Sequence, residues 1–147
     1  MSGLFAAPPL YPPSPPPPHP LGTCMWGGRT FNIWPLSQPL NDFAGVYIYT
    51  RLINNLHYAV YVGQSDGVGR RIREHQRDDP QIALSSHHLH CLTVNDGEQI
   101  RTQIERSLIT TCNPPLNAAH RTGPAAWKIA SVVPDRWSPG LGSFLFR

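Results

Sequence analysis

A chain of 147 residues has room for one domain, and nine of its seventeen prolines fall within the first twenty residues, so part of that length cannot serve a core. A formal charge of +3 is too small to make the whole chain a polyanion binder, which moves the question to where the charges sit. Cys24, Cys91 and Cys112, with no C-x-x-C pair among them, argue against a disulfide framework and a cysteine-based zinc site, and they read as reduced thiols.

Residues 1–22, with "PPLYPPSPPPPHP", lack backbone donors and have fixed φ; they predict a disordered, extended polyproline-type arm, which is also a candidate docking ligand for a protein partner. Residues 23–42 mix Trp, Phe and Ile with prolines and read as an irregular segment pinned to a core by its aromatics. "GVYIYTRL" and "LHYAVYVG" are β-branched and aromatic, and Asn54-Asn55 between them is turn chemistry, so they predict a β-hairpin. In "QSDGVGRRIREHQRDDP", Ser65 or Asp66 is the expected cap of a helix that Pro80 ends, with Val68 and Ile72 facing inward. "HLHCLTV" reads as a third strand. Ile100, Ile104 and Leu108 at i, i+4, i+8 predict an amphipathic helix that Asn113-Pro114 stops.

The order strand, strand, helix, strand, helix predicts an α+β fold, a small antiparallel three-stranded sheet flanked by helices, over residues 43–120. Residues 121–147 form a C-terminal extension, with Trp127 and Trp137 among prolines and glycines hinting at a short strand or hairpin. Neither a basic leader nor about 18 consecutive apolar residues occur, so the expectation is a soluble, intracellular, cytoplasmic protein with no membrane partner.

Gly45-Val46-Tyr47 on the first hairpin strand and Tyr61-Val62-Gly63 on the second resemble the paired name-giving motifs of the GIY-YIG nucleases. Further positions follow in the same order. Arg71 stands eight residues beyond Gly63, at the family's helical arginine; His75, one turn later, matches a histidine of its restriction-endonuclease-type members. Glu105 fits the family's metal-holding glutamate, and Asn117, after "NPPL", its late asparagine. The resemblance covers residues 43–120 and implies a divalent-metal-dependent endonuclease, a phosphodiester hydrolase that binds DNA, with Mg²⁺ (or Mn²⁺) on Glu105. It also implies Tyr47 as general base, with Tyr61 and His75 as alternatives for holding the water or relaying the proton.

These residue types make chemical sense without the family. Hydrolysis of a phosphodiester needs an activated water, a counter-charge for the transition state and stabilisation of the leaving oxygen. Arg71 offers a fork of donors that cannot lose its charge, and lies on one helix face with His75. Tyr47 ordinarily titrates near 10, so it serves as a base only if cationic neighbours lower that value or another group relays its proton. Asn117 either orients the site or is a turn residue, and Gly45 and Gly63 read as sites of close backbone packing.

A parity argument sharpens the hairpin. Direct opposition of Tyr47 and Tyr61 on one face requires an odd loop, so Ile53-Asn54-Asn55 is the expected three-residue turn; a plain two-residue turn without a bulge would leave Tyr61 on the other face. Arg70, Arg73 and Arg77 form a separate basic stripe on the first helix, a candidate grip on nucleic-acid backbone or a solvated face balanced by Glu74 and Asp78. His87, His88 and His90 beside Cys91 invite a zinc reading, but neighbours on a strand point to opposite faces and no second ligand pair follows, so polar strand-end residues are the preferred account. The alternative to an enzyme is a catalytically inactive nucleic-acid-binding module of the same fold.

Overall fold

The computed structural model describes residues 19–117 and the backbone of residues 136–138. The expected arm and most of the C-terminal extension lie outside the described residues. The elements, in chain order, are β1 (Gly22–Trp26), β2 (Arg29–Pro35), β3 (Gly45–Ile53), β4 (Leu56–Ser65), α1 (Val68–Asp78), α2 (Pro80–Leu84), β5 (His88–Thr93), α3 (Glu98–Cys112) and β6 (Arg136–Ser138).

All pairings are antiparallel and the strand order is β4-β3-β5-β2-β1-β6, so among the described residues the sheet has six strands where three were expected. The three expected strands are present as β4-β3-β5. They are extended by the segment read as irregular, which is a hairpin: Trp26 pairs Arg29 across Gly27 and Gly28, both at positive φ (56° and 77°). Two glycines with left-handed backbone are the chemistry of a tight two-residue turn. β2 then docks on β5, pairing Asn32 with Cys91 and Ile33 with His90, and so turns a small sheet into a wide one.

The two sheet faces carry separate cores. One face, with Cys24, Trp26, Phe31, Ile33, Val46, Ile48, Ala59 and Val62, is covered by Ile104, Leu108, Ile109 and Cys112 of α3. The other, with Tyr47, Tyr49, Leu89 and Cys91, is covered by Val68 and Ile72 of α1 and Ile82 of α2. The inward apolar spacing expected for α1 and α3 is therefore observed. Their ends differ from expectation. α1 has no side-chain cap at Gly67; instead the Asp42 carboxylate accepts the Arg70 N–H at 2.5 Å, so a distant residue satisfies a first-turn donor. Pro80 does not end the helical stretch but opens α2, as a first helical position allows.

The β3-β4 hairpin corrects the loop count. Its turn is the two-residue Asn54-Asn55, with φ of 52° and 63°, and Ile53 pairs Leu56. Parity is restored by a bulge. Thr50 pairs Ala59 but Tyr49 pairs Tyr61, so Val60 is the extra residue and everything beyond it changes phase.

Candidate active site

Because of the bulge, Tyr47 lies opposite Gly63 and Tyr49 opposite Tyr61, which puts the three phenols on the α1 face. Tyr47 and Tyr61 are diagonal neighbours, their rings stacked at 30° with centroids 6.4 Å apart. Tyr47 lies across Gly63 so closely that a Cβ there would overlap its ring and hydroxyl. Gly45 is equally confined, by the Leu92 carbonyl. The two motif glycines thus admit a packed tyrosine and a neighbouring strand.

α1 lays Arg71 and His75 over these rings. The Tyr47 hydroxyl is 2.8 Å from His75 Nε2, and the His75 ring is also edge-on to Tyr49 and Tyr61. His75 Nδ1 lies 3.5 Å from Asp79 Oδ2, in contact range without a hydrogen bond. Arg71 donates from Nη1 to Glu74 Oε2 at 2.8 Å and remains partly exposed. Burial pushes Tyr47 far above the usual phenol range, Tyr61 adds to this, and the opposing pull of Arg71 does not offset it. Tyr61 is raised too, mainly by burial and against Arg71. His75 is held below its ordinary value by burial and by Arg71, with Asp79 acting the other way, so its ring is neutral. The condition set for Tyr47, a value lowered by cationic neighbours, is not met.

α3 runs along the opposite face of the sheet, and Glu105 reaches the same space from there. Burial raises its carboxyl, with Arg106 acting against the shift, and among the described residues it has no hydrogen bond or ion pair. The chain after α3 follows the edge of β4. The Leu116 N–H donates to the Val60 carbonyl at 3.1 Å; the Asn117 side chain accepts from the Val62 N–H at 2.8 Å and donates to the Val62 carbonyl at 2.9 Å. Asn117 therefore serves the backbone of the YVG strand, not a tyrosine hydroxyl. Between these elements opens a cleft of about 440 Å³, lined by Tyr61, Arg71, His75, Glu105 and Asn117 together with Asp79 and Gln81. Tyr47, 1 % exposed, lies behind that lining.

The expected basic stripe is largely neutralised in place. Arg70 pairs with Asp66 at 2.7 Å and Arg77 with Asp78 at 2.9 Å, while Arg73 is exposed. The histidines of β5 are drawn into a different grouping. His88 and His90 share a face with His57 of β4, whose ring lies 5.6 Å and 4.5 Å from theirs. Trp26 Nε1 donates to His90 Nδ1 at 2.9 Å, which leaves the ring proton on Nε2 and no lone pair for a metal. Among the described residues no group of three His, Cys, Asp or Glu side chains is placed to hold one.

Sequence reading missed Asp79. Its spacing of four from His75 carried the signal, but next to Pro80 it was passed over as part of the helix end. It also missed the buried Arg101, whose Nε donates to Gln64 Oε1 at 3.0 Å. Comparison with family models, curated proteins and solved structures found no match. No helix among the described residues is long and apolar enough to cross a membrane.

Proposed function

We propose that this chain is a divalent-metal-dependent endonuclease that hydrolyses DNA phosphodiesters, a relative of the GIY-YIG nucleases with an enlarged sheet. One observation carries the reading: Tyr61, Arg71, His75, Glu105 and Asn117, distant in sequence, line a single cleft, with the Tyr47 hydroxyl on His75 just behind it. The order of the motifs along the chain supports it independently.

Glu105 suits a hard cation. Its half-buried carboxylate has no ion-pair partner among the described residues, Arg106 acting on it only from a distance, and a single carboxylate with water and phosphate oxygens is a usual shell for Mg²⁺ or Mn²⁺. When bound, such a cation supplies charge neutralisation at the phosphate and the leaving oxygen. Arg71 offers its remaining guanidinium donors to the non-bridging oxygens, held in direction by Glu74. The buried Tyr47 phenol is neutral at rest. Once the attacking water passes the Tyr61 and His75 lining to reach its oxygen, Tyr47 takes a proton from that water as its own proton passes to the lone pair of His75 Nε2, so no phenolate need be stored. Tyr61, in the cleft wall, orients the water or the phosphate, and Asn117 fixes the strand that bears it. Arg73, the exposed member of the α1 stripe, is the backbone grip that the ion pairs leave available.

Plasmid cleavage with Mg²⁺ tests the reading. Wild type is expected to cut, and Arg71→Ala and Glu105→Ala to be reduced at least about 100-fold, the scale of losing one charged transition-state contact. Equal cutting by all three sinks it.

A further inference from the structure

We infer that Asp79 is a positioning residue that sets the tautomer of His75, completing an Asp79, His75, Tyr47 relay; this rests on the hydrolase reading given above. The argument starts from a buried nitrogen. His75 is 2 % exposed and its Nδ1 has no hydrogen-bond partner, while its Nε2 is bound by the Tyr47 hydroxyl. A neutral imidazole carries one proton, and only two placements exist. With the proton on Nε2, His75 donates to the Tyr47 oxygen and cannot accept from it. With the proton on Nδ1, Nε2 accepts from Tyr47 and the Nδ1–H needs an acceptor.

Asp79 Oδ2 lies 3.5 Å from Nδ1, and a carboxylate can only accept. Asp79 is the C-cap residue of α1, four positions after His75; its N–H is anchored to the His75 carbonyl at 2.8 Å, so its side chain is held over the ring. A closure of well under an ångström brings the pair to hydrogen-bonding distance. The other groups around the ring select no tautomer: Tyr47 and Tyr49 from β3 and Tyr61 from β4 meet it by ring edges or by hydroxyl, Arg71 is cationic, and Glu74 is engaged with Arg71. Asp79 also lines the cleft.

The proton count closes. The water O–H bond breaks as Tyr47 oxygen gains that proton; the Tyr47 O–H breaks as His75 Nε2–H forms; the resulting imidazolium faces the Asp79 carboxylate through Nδ1–H; and as the water oxygen bonds phosphorus, the P–O bond to the leaving oxygen breaks, that oxygen taking a proton from solvent. Asp79 does not itself take up a proton.

The ring nitrogens of His75 in ¹⁵N-labelled full-length protein report the tautomer directly. Wild type is expected to carry the proton on Nδ1. In Asp79→Ala, the form with the proton on Nε2 becomes the favoured one, since it then donates to Tyr47. Plasmid cleavage should fall at least about 100-fold in kcat with KM unchanged, and Asp79→Glu should recover part of the loss. A wild-type ring protonated on Nε2, a tautomer indifferent to Asp79→Ala, or a shifted tautomer with undiminished cleavage each overturn the inference. Should wild type cut no DNA at all, the hydrolase reading fails, while the nitrogen spectra still decide what Asp79 does to His75.

Discussion

Mild acid should unfold this protein through its sheet histidines. His57 and His90 are fully buried; burial, helped by His88 and His87, holds His57 at about 3, and burial, helped by His57 and His88, holds His90 well below its usual value. In the unfolded chain both return to about 6.5. The unfolded state therefore binds protons that the folded state refuses, so stability is intact above pH 6.5 and falls as pH drops toward the folded values. At pH 5 the unfolded imidazole is 1.5 units past its midpoint, and at ~1.4 kcal/mol per unit His57 alone costs about 2 kcal/mol. His90 shifts in the same direction and adds to this, against the ~5–15 kcal/mol that domains possess. For a chain of this size the His57 share alone, about 2 kcal/mol, corresponds to a Tm lowered by roughly 5–10 °C. Calorimetric melts at pH 7 and pH 5 test it, since the carboxylates titrate mainly below that window. Replacing His57 by Leu should flatten the wild-type slope by the His57 share, about 2 kcal/mol between the two pH values. A Tm that is unchanged between the two pH values, or a slope that His57→Leu leaves intact, would refute the reasoning.

Gly63→Ala drives a Cβ into Tyr47 and should cost about 1–3 kcal/mol in urea unfolding, the scale of an overpacked core, and lower cleavage with it. Asn117→Ala strands the Val62 N–H and carbonyl; a loss of about 2–4 kcal/mol is expected by the same measurement, whereas a neutral result would mean that the β4 edge repairs itself with water. Arg73→Ala should weaken DNA binding and reduce the salt dependence of the affinity by about one charge, while Arg77→Ala, already paired with Asp78, should change it less; fluorescence anisotropy across a salt series separates them.

Much of this site was legible because its signals are local. Asn54-Asn55 marks a hairpin, Val68 and Ile72 mark an inward helix face, and Arg71 to His75 is one helical turn. What escaped depends on longer range. The first hairpin was hidden because Pro35 and Pro39 colour their surroundings as loop, and only docking against β5 gives Ile33 and Phe31 a core to face. The Val60 bulge has no signature of its own. It exists because α1 must receive Tyr47, Tyr49 and Tyr61 while α3 receives Ala59 and Val62, a demand set by tertiary packing. His57 likewise gained meaning only when the sheet brought it against His88 and His90.

The displaced phase at Val60 makes the hairpin a vernier. A tip with three residues and a plain ladder presents the same tyrosines as the present tip with two residues and one slack unit in the opposite strand. One amino acid added at the Asn54-Asn55 tip lengthens the turn and leaves the Val60 bulge and both faces in place, whereas one added between Tyr61 and Gly63 pulls the glycine out from under Tyr47. Tolerance to length change should thus drop abruptly at Tyr61, which makes the distal half of the ribbon the place to graft a reporter.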